Sequence, residues 1–145
     1  MGKATRALFF LILALAGFFF DTSAQKSDQL LNDSTRWRRL GVITINPNEN
    51  TSEILVLKSQ KYSYLRFKTT ESRIRLSSIV IFFETGNNQY IELDLIVEPQ
   101  RMSQPIEVMG GDRRLMKVSF FYNELSNQKN YLSIQLWGLS VSPDN

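Results

Sequence analysis

Glu92 and Asp94 are the residues of this sequence best spaced for acid–base chemistry. They lie two apart in a segment that alternates apolar and polar residues, so both project from one face, about 6.6 Å apart along the backbone. That separation touches the window of roughly 6.5–9.5 Å used by inverting glycosidases. Those enzymes hold one carboxyl on each side of the sugar ring, whereas neighbours on one strand face the same way. A solvated strand face, with Arg66 and Lys68 as cross-strand partners, accounts for the pair better, and no catalytic residue is assigned. With neither His nor Cys in the chain, Ser-His-Asp and Cys-His machinery, imidazole or thiolate zinc sites and disulfides are excluded. No cofactor is implied.

Binding chemistry has more to draw on. Gly110-Gly111-Asp112-Arg113-Arg114 could cradle an anion, because backbone N–H groups of a Gly turn form a concave nest and Arg adds bidentate recognition of carboxylate, sulfate or phosphate. Its plainer reading is a hairpin turn whose Arg113 and Arg114 pair with nearby acids. Nothing after it resembles a nucleotide loop, since no helix pattern and no Lys-Ser/Thr follows. If Leu65 and Phe67 point inward, then Tyr62 and Tyr64 point outward, and Tyr90, Tyr131 and Trp137 are outward by the same parity. Rings on one β surface with polar neighbours suit the apolar faces of sugars, although Tyr is also favoured in strands for packing alone. Trp37 and Trp137 are explained by packing where the first and last strands meet. Further cations gather at Arg36, Arg38 and Arg39 and at Arg73 and Arg75. Loop oxygens of Asp94, Glu98 and Asp112 are too sparse to name a calcium site.

The elements that must position these residues are strands. Segments rich in Val, Ile, Phe, Tyr and Thr at roughly 37–45, 52–57, 62–69, 73–83, 89–97, 105–108, 115–122 and 131–139 are separated by Asn, Gly, Pro and Ser clusters. Ile91, Leu93, Leu95 and Val97 share one face against Tyr90, Glu92 and Asp94; Leu132, Ile134 and Leu136 alternate with Ser133, Gln135 and Trp137. Ile79 to Phe83 is apolar throughout and predicts a strand covered on both sides or crossing between layers. About eight antiparallel strands predict an all-β, Greek-key-like β-sandwich, with a partly open β-barrel as the alternative. The break from Glu98 to Gln104 is long enough to cross from one sheet to the other.

Ahead of the domain, residues 1–24 read as a secretory signal peptide. Lys3 and Arg6 form the basic stretch, Ala7 to Phe20 the apolar one, and Thr22-Ser23-Ala24 a small-residue cleavage site. The apolar stretch would rise only about 21 Å as a helix, short of a hydrocarbon core of roughly 30 Å, so no stable membrane anchor is expected after cleavage. Residues 25–36 read as a flexible leader, 37–140 as a single domain and 141–145 as a tail. Cleavage would lower the net charge of +3 by one, and an almost balanced exported chain is not expected to bind nucleic acid. Export without Cys points to a bacterial periplasm or exterior.

Arg39-Leu40-Gly41-Val42, Asn48-Glu49-Asn50-Thr51, and Gly110-Gly111-Asp112-Arg113-Arg114 followed by Val118, Phe120 and Tyr122 resemble landmarks of the YaaI-type exported bacterial proteins. The resemblance covers roughly Trp37 to Gly138 and implies an exported location and a shared fold, but no activity. Some members carry a Cys pair; this chain has none, so no stapling is carried over. Three classes of function fit the sequence. The first is a non-enzymatic envelope module binding a glycan or anionic polymer through Tyr62, Tyr64, Tyr90, Tyr131, Trp137, Arg113 and Arg114. The others are a module pairing with an envelope protein through an exposed edge strand, and a small carboxylate-dependent hydrolase.

Overall fold

A computed structural model describes residues 29, 31–46, 48–57, 60–109, 113–125 and 131–140. The proposed signal, most of the leader and the tail lie outside these residues, as does the Gly110-Gly111-Asp112 turn. All strands belong to the compact unit Asp33–Asn145. The end of the leader forms a short 3-10 turn, Ser34–Arg36, with the Asp33 carboxylate accepting from the Thr35 amide. Bonds from the Thr35 hydroxyl and amide lower the Asp33 pKa.

Eight strands follow: β1 (Trp37–Ile45), β2 (Thr51–Leu55), β3 (Tyr64–Thr69), β4 (Ile74–Phe83), β5 (Asn88–Val97), β6 (Ile106–Glu107), β7 (Leu115–Glu124) and β8 (Leu132–Leu139). They form two four-stranded antiparallel sheets: sheet A in the order β1-β8-β3-β6 and sheet B in the order β2-β7-β4-β5. The pairs β4·β5, β3·β6, β2·β7 and β1·β8 are nested. The chain is in effect one long hairpin rolled into a sandwich, which is the wiring of a jelly roll, built from two Greek keys. The tip of that hairpin is made by Glu84, Thr85 and Gly86. Gly86 takes φ 85° and donates to the Phe83 carbonyl at 3.0 Å, while the Phe83 amide donates to the Asn87 carbonyl at 3.0 Å. A three-residue hairpin loop needs such a left-handed position, which glycine adopts without strain.

Between the sheets, alternate residues make the core. Leu65 and Phe67 of β3, Ile79 and Ile81 of β4, Phe120 of β7 and Ile134 and Leu136 of β8 are fully buried. Phe120 meets Phe67 from the opposite sheet edge-on, with centroids 5.6 Å apart, an arrangement worth about 0.5–1.5 kcal/mol beyond area burial. Ile79 to Phe83 is part of an interior strand of sheet B, but among the described residues no third layer covers it. Val80 and Phe82 point outward and are half-buried, and the Lys117 ammonium sits 4.6 Å from the Phe82 ring centre. A long amphipathic side chain thus shields the apolar outer position. The crossover between β5 and β6 also seals the edge of β3. The Ser103 amide donates to the Phe67 carbonyl at 2.8 Å, the Ser103 hydroxyl accepts from the Phe67 amide at 2.9 Å, and the Gln100 amide donates to the Thr69 carbonyl at 2.9 Å.

Candidate functional site

The two sheets present opposite outer faces, and the register of each decides which side chains share one. In sheet A, Trp137 of β8 stands directly between Arg39 of β1 and Arg66 of β3. Cβ atoms of such neighbours lie about 4.5–5.5 Å apart. One row to one side are Tyr64 and Leu139; one row to the other are Val42, Gln135 and Lys68. Trp137 is half-buried, and its indole N–H donates to Gln135 Oε1 at 3.1 Å, which fixes the ring. The Arg66 guanidinium lies 4.5 Å from the Trp37 ring centre. Its Nε is buried without a hydrogen-bond partner, and partial burial lowers its pKa; an arginine so placed still keeps its charge. Among the described residues no carboxylate pairs with Arg39, Arg66 or Lys68.

Only part of the ring set expected from parity gathers here. Tyr64 and Trp137 share the outer face of sheet A, whereas Tyr90 stands on the outer face of sheet B, opposite Val80. Tyr131 is exposed just before β8, at the far end of that strand from Trp137. Tyr62 is not outward at all, being 3% exposed. It precedes β3, so strand parity does not govern it, and its ring packs on Gly138, where a Cβ would come within 2.7 Å of Tyr62 Cδ1. The five rings therefore form no common platform.

Nor does Arg113 offer itself to a ligand. Its Nη2 donates to the Met109 carbonyl at 3.0 Å and its guanidinium lies 4.0 Å from the Phe83 ring centre, so it is engaged within the chain. Arg114 is exposed and bridges to Lys61 through the backbone. Glu92 and Asp94 are exposed on β5, and Arg75 lies 3.5 Å from Asp94. The partners expected for them, Arg66 and Lys68, belong to the other sheet. Arg73 pairs with Glu98 at 2.7 Å, so Asp94 and Glu98 each have a basic partner instead of converging. No group of three or more metal-ligating side chains occurs among the described residues.

The cations flanking Trp137 were visible in sequence only as outward positions on β3 and as a basic run at the start of β1. Alternation places Arg66 and Lys68 on the outside, but which strand lies beside them depends on the sheet order.

These features define an eight-stranded antiparallel β-sandwich with jelly-roll wiring and a cationic, aromatic outer face. The chain belongs to the family described as Domain of unknown function (DUF2541), whose model matches residues 8–138. None of the curated proteins matches it. Among solved structures it is similar to Pseudomonas aeruginosa AlgX, at 7% identity and a TM-score of 0.42, over 71% of this chain and 27% of that one. No helix among the described residues is long and apolar enough to cross a membrane.

Proposed function

We propose that this protein is an exported, non-enzymatic binding module of the bacterial envelope that recognises an acidic glycan on the outer face of sheet A. The row Arg39–Trp137–Arg66 carries this reading. A pyranose face is apolar and stacks on an indole, while a uronate carboxylate or sulfate accepts bidentate bonds from a guanidinium. Tyr64 and Lys68 extend the same face along the sheet, enough to follow a second sugar unit. Export is supported by the basic, apolar and small-residue order of residues 1–24. The non-enzymatic part rests on Glu92 and Asp94, which project from one strand and cannot flank a bond.

Titrating the protein with a uronic-acid oligosaccharide and with its neutral counterpart, followed by Trp emission, tests the proposal. The chain has two Trp residues, Trp137 on this face and the buried Trp37 under the Arg66 guanidinium, so emission reports the surroundings of Trp137 and Arg66. A saturable change with the acidic sugar, weakened by salt and lost in Arg39→Gln/Arg66→Gln, is expected. An equal response to the neutral sugar, or one that survives the double substitution, would overturn it.

A further inference from the structure

β5 leaves an unpaired edge beside an acidic apolar groove. On its inner side β5 ladders with β4, but the other side carries no backbone hydrogen bond among the described residues. Its amides alternate in direction. The Phe83–Asn87 bond marks a hydrogen-bonded pair, so by the antiparallel rule the amides of Asn88, Tyr90 and Glu92 point away from β4, to the open edge.

The cause is the brevity of β6. Sheet A ends there in two residues, Ile106–Glu107, so the inner face of the ten-residue β5 overhangs it. Ile91, Leu93 and Leu95 are consequently only half-buried. A groove of about 520 Å³ lies between the two edge strands, with those side chains, Pro105 and Ile106 inside it and the acids Glu92 and Glu107 on it. No Lys or Arg lines it. β3, by contrast, has its edge sealed by the Ser103 loop, β1 is broken by a bulge between Arg39 and Gly41, and β2 is half as long. Bulges and short strands are devices that discourage edge pairing. β5 has a bulge of its own, at Leu93 and Asp94 opposite Ser77, and the open amides lie in the regular stretch from Asn88 to Glu92 that precedes it.

We propose that this edge takes up an extended segment of another polypeptide, whose alternate residues are apolar and Lys or Arg. Added beside β5, such a segment accepts the free amides of Tyr90 and Glu92. It turns its apolar residues into the groove and its cations toward Glu92 and Asp94 on the outer face of sheet B, with Glu107 adding negative charge across the groove. A second copy of this chain fits poorly, because β5 carries Glu92 and Asp94 but no Lys or Arg, so pairing it with itself brings acids from both copies to one seam with no cation to answer them. The surface meets the outer face of sheet A only where Glu107 stands beside Tyr64, and it stands whether or not the Trp137 row binds sugar.

Fluorescence anisotropy tests it, using the full chain and labelled peptides of the length of β5 that alternate Val with Lys or Val with Glu. The Lys peptide is expected to bind at least about tenfold tighter than the Glu peptide. Glu92→Lys/Glu107→Lys, changing two exposed side chains, is expected to reverse that order. Tyr90→Pro removes an edge amide without touching the β4 ladder and is expected to abolish binding of both, with circular dichroism reporting an intact fold. Equal affinity for the two peptides, no binding, or binding unaffected by Tyr90→Pro would each overturn the proposal. So would a dimer in sedimentation that Tyr90→Pro dissolves, which would make a second copy the occupant.

Discussion

On the outer face of sheet B, Lys117 lies 3.0 Å from Glu53 and Arg75 lies 3.5 Å from Asp94, so cations and acids answer one another across neighbouring strands. On the outer face of sheet A, Arg39, Arg66 and Lys68 stand around Trp137 with no acid paired to them among the described residues, and Glu107 is at the far edge beside Tyr64. Both faces are laid on the same core by the same alternation. The difference lies in what each leaves unsatisfied. Paired exposed charges cancel their own field and add about 0.2–1 kcal/mol. Unpaired cations around a fixed indole keep a local positive potential that an anionic ligand can neutralise.

The largest effect separates the core between the two sheets from the outer face of sheet A. Phe120→Ala is expected to cost about 3–5 kcal/mol, because the ring is buried between the sheets and its removal leaves a cavity. Tyr64→Ala, on the outer face, is expected to cost far less. Equal losses in urea unfolding would break the distinction between core and face.

The second effect sharpens the contrast between the faces. Glu53→Ala should lose about 0.2–1 kcal/mol in thermal unfolding, since it strands Lys117 over Phe82. Arg39→Ala should leave stability unchanged or slightly raise it, because no ion pair is lost. A larger loss from Arg39→Ala would mean that sheet A uses its cations for folding rather than for binding.

The smallest effect concerns the Arg73–Glu98 pair that leads into sheet B. A hydrogen bond from Arg73, and then the charges of Arg73 and Arg101, hold the Glu98 carboxyl below its ordinary value. A depressed carboxylate pKa contributes stability above its unfolded value and loses it as pH falls through the folded one. Melting temperatures of the wild type and Glu98→Gln should therefore differ slightly at neutral pH and converge at acid pH. A difference that persists in acid would assign the effect to something other than this charge.

Much of the fold was legible in the residues, for a physical reason. Period-two alternation marks a strand half in a core, and Asn, Gly, Pro and Ser mark where it must stop, so the eight expected segments match the eight strands to within about two residues. The crossover at Glu98 to Gln104 was legible too, as a stretch too long for a hairpin. Tyr62 was not. Its alternation with Tyr64 holds only if both are in the strand, and the space that draws its ring inward is left by Gly138, remote in sequence. Arg113 was equally opaque, because one of its partners, the Phe83 ring, is remote in sequence and is met only in the folded sheet.

The amino-acid order alone thus determined the strands, the turns and the face each strand residue takes, since these follow from local backbone geometry and the burial of apolar side chains. Only the tertiary structure decided which strands lie side by side. That choice set Arg39 and Arg66 around Trp137, parted Tyr64 from Tyr90, and left β5 uncovered by the two-residue β6. Sheet order is fixed by how the rolled hairpin closes over its core, a cooperative outcome that no single segment encodes.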